Sequence, residues 1–233
     1  VGALGLFGLL ADAGFRVTAP ELAGFGRSDP APEWHRIEDA VFDLRLLLDG
    51  LDLDRPLVIG SSLGGWLAAE LAVWFPDRVG ALVLVDPVGL RVEGAPVFDL
   101  FAARRDETAR RLLPGGGDLL GLLAPALEGD DDPNAPLLHL LHAAEATARL
   151  GWNPFLHDPK LAGRLPLVTA PTLVVWGADD GIVPRDHGEA YAAGIPGARL
   201  EIVEGCGHLP ALERPAVVSD LVAGFAGAAL GTP

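Results

Sequence analysis

At 233 residues, half of them apolar and 21% charged, the chain is sized for one α/β domain with a large core. Its 17 basic and 32 acidic side chains leave a formal charge of −15, which argues against a nucleic-acid or anionic-membrane partner because both need basic patches. There is no bilayer-length apolar run and no signal-peptide pattern, and the single cysteine, Cys206, has no internal partner, so the expected compartment is the cytoplasm.

Leu4, Phe7, Leu10 and Ala11 recur at helical spacing, and Gly14 falls where such a helix would stop. Residues 15–19 read as a short strand ended by Pro20, and residues 23–30 as a glycine-rich loop. A helix is predicted over about 38–51, with Val41, Leu44, Leu47 and Leu48 on one face. Residues 57–59 form an apolar strand, residues 63–75 a helix ended by Pro76, and residues 81–85 a buried strand. From 89 to 165 strand signals vanish and Ala, Leu and Arg dominate, with residues 129–134 a solvated linker. Strands return at 172–176 and 199–203, and a final helix runs from Pro215 to about Ala229. Uniformly apolar strands alternating with helices predict an α/β fold, a mostly parallel sheet with helices on both faces. The core is expected over residues 1–88 and 166–233, with 89–165 inserted as a helical cap.

The strongest chemical signal is Gly60-Ser61-Ser62-Leu63-Gly64-Gly65, set between a strand and a helix. This is the G-x-S-x-G pattern of a nucleophile elbow, in which bulky residues two before and two after the serine would collide. Its alternative is a glycine-rich turn with an incidental serine. The helix N-terminus offers free N–H groups, and the amide of Leu63 is the candidate oxyanion donor. A serine needs a base. Of His35, His139, His142, His157, His187 and His208, only His208 follows the last strand, at the sheet edge where ligands bind. The base needs a carboxylate, and Asp179, Asp180 and Asp86 each stand after a strand.

Taken together, the Ser62, Asp180 and His208 loops look like the α/β-hydrolase superfamily across nearly the whole chain. Residues 20–28 resemble that family's loop after its fourth strand, and Gly207-His208 followed by Glu213-Arg214-Pro215 matches as well. The family's spacing before Ile182-Val183-Pro184 selects Asp180 over Asp179. The resemblance implies a Ser–His–Asp hydrolase, with Ser62, His208 and Asp180 catalytic and neither metal nor organic cofactor. Pro76-Asp77-Arg78-Val79-Gly80, Pro87-Val88-Gly89-Leu90 and Asn153-Pro154 are similar to hydrolases that cleave carbon–carbon bonds in ring-fission products, although those place a tryptophan where this chain has Leu209. Plain esterases and lactonases share these stretches.

By the family layout, the first three strands and the His-Gly oxyanion loop have no counterpart here. The expectation is that they belong to a longer gene product; strand donation by another chain and a catalytically weak protein are the alternatives. The expected substrate is a small or medium apolar carbonyl compound, ester-like, cleaved through an acyl-enzyme. Candidate substrate contacts are Ser61, Trp152, Phe155 and Leu209, with Leu138 and Leu141 as further wall residues; core packing of the cap is their alternative role. Serine at the elbow separates the chain from the dehalogenases and epoxide hydrolases of this fold, which use aspartate. Haloperoxidase-like activity, a ligand-binding homologue with little turnover, a fragment that never folds alone and a homodimer stay open.

Overall fold

The computed structural model describes residues 4–116 and 135–231; the linker expected at 129–134 lies outside them. In chain order the helices are α1 (Leu4–Asp12), α2 (Ile37–Gly50), α3 (Leu63–Trp74), α4 (Arg105–Leu112), α5 (Ala135–Gly151), α6 (Leu161–Arg164), α7 (Asp186–Gly194), α8 (Pro210–Glu213) and α9 (Pro215–Leu230). The strands are β1 (Leu57–Ser61), β2 (Ala81–Val85), β3 (Thr172–Gly177) and β4 (Arg199–Val203). They pair in parallel in the order β1-β2-β3-β4.

The two central strands explain the uniformly apolar runs. In β2, Leu82 and Leu84 enter the core under α2 and α3, while Ala81, Val83 and Val85 face α1 and α9. Trp176 and Val174 of β3 join the first face, Leu173 and Val175 the second. With period-2 side chains buried on both sides, neither face can be polar. Each buried Val or Leu contributes roughly 1.5–3 kcal/mol relative to exposure.

Residues 15–19 are not a strand. The helix before them ends in a Schellman motif: Gly14, at φ 93°, donates to Ala11 O and Phe15 donates to Leu10 O. The stretch beyond Gly14 has the composition of a strand but pairs with no strand among the described residues, and β1 is the sheet edge on that side. A β conformation is stabilised by its ladder, which is missing here.

The expected helical insertion contains α4, α5 and α6. Its two ends meet: Gly89 donates to Leu156 O and Asp158 donates to Gly89 O, at 2.9 and 3.0 Å. Beyond that pinch, Leu156, Leu161 and Leu165 are buried in the main core, so the last turns of the expected cap belong with the sheet layers. Helix α5 lies over the loop at residues 23–34, where Arg149 donates to Pro32 O. Among the described residues, no helix is long and apolar enough to cross a membrane.

The β1–α3 turn positions the site. Ser62 stands at φ 52°, ψ −116° in the N-cap place of α3, a region costly for a non-glycine residue. Its N–H donates to Val85 O, and its carbonyl accepts from Gly65, Trp66 and Val88. A serine at an N-cap usually bonds its hydroxyl to the helix amides; here it makes no such bond. The glycine requirement differs from the expected one. A Cβ on Gly60 would run into the Gly64 carbonyl, and one on Gly65 would meet Pro87 Cβ at 2.8 Å, but one on Gly64 meets nothing within 4 Å. The close approach is of backbone at Gly64, not of its missing side chain. Gly60→Ala is therefore expected to destabilise by roughly 1–3 kcal/mol or more. Gly64→Ala should be neutral or stabilising by up to about 1 kcal/mol; urea unfolding of both variants measures this.

Glu70 is the charged residue of buried α3. It accepts from the Trp66 and Trp74 indoles at 3.3 and 3.2 Å and lies 3.8 Å from Arg164. Burial, only partly offset by these partners, pushes its carboxyl up to about 7. Because the folded value exceeds the unfolded one, the protonated form is the stable one. Its stabilising contribution is complete below about pH 4.5 and is lost as pH rises through 7. Replacing Glu70 with Gln should thus gain stability relative to the parent between pH 5 and pH 8, on the order of 1–3 kcal/mol. A difference between variant and parent that stays constant over that range contradicts the assignment.

Candidate active site

Three loops at the carboxyl ends of β1, β3 and β4 converge on one imidazole. His208 Nε2 lies 2.8 Å from Ser62 Oγ, and Nδ1 lies 2.8 Å from Asp180 Oδ2. The ring is 2% exposed and the Asp180 side chain 1%, so the carboxylate–imidazole contact is shielded from water and screening. Asp180 is oriented by its own loop, since its Oδ1 accepts from the N–H groups of Ile182 and Val183 at 2.8 and 2.9 Å. A ring carrying its proton on Nδ1, toward Asp180, would present the Nε2 lone pair to the serine hydroxyl.

The three carboxylates weighed after strands thus separate by environment. Asp179 is exposed, and its amide donates to Cys206 O. Asp86 is fully buried at φ 44°, accepts from the Gly177 N–H at 2.9 Å through Oδ1, and leaves Oδ2 without a hydrogen-bond partner. Burial, then the charge of Asp180, push its carboxyl well above the usual range. Asp86, Asp180 and His208 also offer ligand atoms within 4.8 Å of one another, a grouping compact enough for a metal ion. Both nitrogens of His208 are already engaged by Asp180 and Ser62, so the trio is better described as an acid–base cluster.

The His208 loop is fixed from two sides. Its own N–H donates to Leu112 O at the end of α4. On the other side a single oxygen, Glu213 Oε1, accepts from Gly207 N–H at 2.9 Å, from Leu209 N–H at 3.4 Å and from the Cys206 thiol at 3.6 Å. Burial pushes that thiol well up from its ordinary value, so Cys206 is a neutral packing group. In the sequence Glu213 is legible only as part of a family pattern; what marks it physically is a carboxylate five residues after the histidine, at the end of a short helix.

Leu63 occupies the first position of α3, where an amide has no acceptor within the helix. Ser61 closes β1 and is half-buried, and Leu209 follows the imidazole at the start of α8. The remaining candidates lie apart. Trp152 is 64% exposed and rests on Phe101, ring centroids 5.4 Å apart. Phe155 meets Phe101 edge-on and walls a cavity of about 320 Å³ shared with Leu90, Val97, His157 and His187, which Ser62 does not border. Leu138 and Leu141 are exposed on α5. In that cavity wall the buried His187 bonds Ala95 O through Nε2, and burial lowers its affinity for a second proton.

The profile of the alpha/beta hydrolase fold family matches residues 4–215. The 2-hydroxy-6-oxononadienedioate/2-hydroxy-6-oxononatrienedioate hydrolase of Cupriavidus pinatubonensis is 33% identical over 232 residues, covering 94% of this chain and 78% of that protein. The 2-hydroxy-6-oxo-6-phenylhexa-2,4-dienoate hydrolase of Comamonas testosteroni is 31% identical over 224 residues, covering 89% and 75%. The solved meta-cleavage product hydrolase of Pseudomonas fluorescens IP01 aligns with a TM-score of 0.72 at 20% identity, over 97% of this chain and 86% of that one, a likeness of fold. Because these matches run through the β1–α3 turn, the insertion and the His208 loop alike, the chain belongs to the α/β hydrolase fold family.

Proposed function

We propose that the chain is a serine hydrolase in which Ser62 is the nucleophile, His208 its base and Asp180 the carboxylate that orients the base. The observation that carries this reading is the unbroken run of two 2.8 Å contacts from Ser62 Oγ through the imidazole to Asp180. In the proposed cycle, His208 takes the hydroxyl proton as Ser62 attacks a carbonyl carbon, and Asp180 stabilises the imidazolium. The Leu63 N–H, at the positive end of α3, receives the developing oxyanion. His208 then passes its proton to the leaving group, and water attacks the acyl-enzyme with His208 again as base. Residues 89–165 would roof the site as a cap over a small or medium apolar substrate. A cytoplasmic setting suits the buried, free thiol of Cys206.

Two leaving groups are compatible with this chemistry, an alkoxide from an ester or a carbon from a ring-fission product. The names of the relatives from Cupriavidus and Comamonas favour the second. In that case the acyl–carbon bond breaks, the proton goes to the departing carbon, and water supplies the carboxylate oxygen. Leu209, in the place where such hydrolases carry a tryptophan, is the local departure.

A fluorophosphonate should form one adduct, on Ser62, and Ser62→Ala should abolish it; a folded sample without that adduct sinks the reading. Asp180→Asn should lower kcat by about 10⁴ while leaving the fold intact. Assayed side by side, 2-hydroxy-6-oxo-6-phenylhexa-2,4-dienoate should be turned over with a higher kcat/KM than p-nitrophenyl butyrate. The reverse order would return the substrate to the esters.

A further inference from the structure

Asp86 is the buried carboxyl to which this mechanism gives no role. It stands at the end of β2, with its amide donating to Val175 O and its Oδ1 accepting from Gly177, so both anchors lie on β3, the strand that leads to Asp180. Its second oxygen is buried and unpartnered among the described residues, and its carboxyl lies within 4.8 Å of both the Asp180 carboxylate and His208. Two carboxylates in so dry a space, facing one imidazole, cannot both be charged without a strong repulsion. The hydrogen-bond donors decide which one carries the charge. Asp180 receives three, from Ile182, Val183 and His208, whereas Asp86 receives one. The proton therefore belongs on Asp86.

On the reading of Ser62, His208 and Asp180 given above, we infer that Asp86 is a positioning residue, a neutral carboxylic acid that directs its O–H toward the Asp180 carboxylate and keeps that carboxylate turned to His208. This gives the orphaned Oδ2 an occupation and leaves Asp180 as the single buried anion against the base. The charged and titratable groups facing Asp86 are Asp180 after β3, and His208, Glu213 and Cys206 after β4. None of them is a permanent cation; the Gly177 N–H favours the ionised form, but burial together with Asp180 outweighs it and raises the carboxyl well above the usual range. Asp86 is then neutral through neutral pH. As pH rises through its folded value it ionises, the two carboxylates repel, and Asp180 is pushed off the imidazole.

The test uses the intact chain and the second-order rate of fluorophosphonate labelling of Ser62 between pH 6 and pH 10. Asn at position 86 can still accept from Gly177 and donate toward Asp180, but cannot ionise. Asp86→Asn should label at neutral pH at least tenfold faster than Asp86→Ala, and should lack the alkaline decline of the parent. Superimposable pH profiles for parent and Asp86→Asn overturn the inference. So does a loss in Asp86→Asn as large as that in Asp180→Asn, since the charged form would then be the working one. If either variant fails to fold, the infrared C=O stretch of a protonated carboxyl decides on the parent itself: with ¹³C-labelled aspartate the band should be present at pH 7 and vanish at alkaline pH. Its absence at pH 7 overturns the inference. A parent protein that does not label at all removes the reading of Ser62 instead, and the infrared band is independent of that outcome.

Discussion

The backbone of Ser62 is held where a serine does not settle by itself. At φ 52° the residue is strained, on the order of 1–3 kcal/mol, and a set of amide contacts over-determines it: one bond to the end of β2 and three into its own carbonyl. That fixation turns the hydroxyl away from the helix amides it would otherwise cap. The rest of the sheet edge depends on this turn. Pro87 lies on Gly65, Val88 reaches the Ser62 carbonyl, and the insertion leaves the sheet from the same place. The Ser62 hydroxyl is thus aimed by backbone geometry rather than by its own rotamer freedom.

The second organising fact is where acidic charge is buried. The overall charge of −15 is carried mostly on exposed carboxylates, which water solvates at little cost. Among the described residues, Glu70, Asp86 and Asp180 are buried exceptions, and each is treated differently. Asp180 receives three donors; Glu70 is shifted by burial despite two indoles and Arg164; Asp86 has one donor and a raised carboxyl. Donor number, more than residue type, distinguishes these buried carboxylates from one another.

Much of this was legible in the sequence, and the reasons can be named. The strands at 81–85 and 172–177 were readable because both of their faces are covered, so nearly every residue is apolar, the Thr172 hydroxyl at the start of β3 being satisfied by Ala170 O. Helix ends fell within a residue or two of Gly14, Pro76 and Pro215, which act locally. Ser62, Asp180 and His208 were recoverable because each sits in a short motif tied to a strand end. Residues 15–19 misled because a strand is a property of a pair, and their composition says nothing about a partner. Helix α7 was missed because its small residues carry little periodic signal; Gly188 lies so close to the Trp176 ring that a side chain there would clash. The role of Glu213 was invisible for a similar reason, since it arises from three donors that only the folded loop gathers.

The pinch at Gly89, Leu156 and Asp158 has a consequence for how such a protein can change. Two short hydrogen bonds close the base of the insertion, and Ala95, Leu112 and Arg149 within it reach His187, the His208 amide and Pro32. Closing a longer loop at that base costs little, about 0.6 kcal/mol for each doubling of length. Lineages, or protein engineers, can therefore vary the length of chain between those contacts, provided the end of α4 keeps its carbonyl on the His208 loop. Length there is free to drift, but the carbonyl that holds the His208 loop is not.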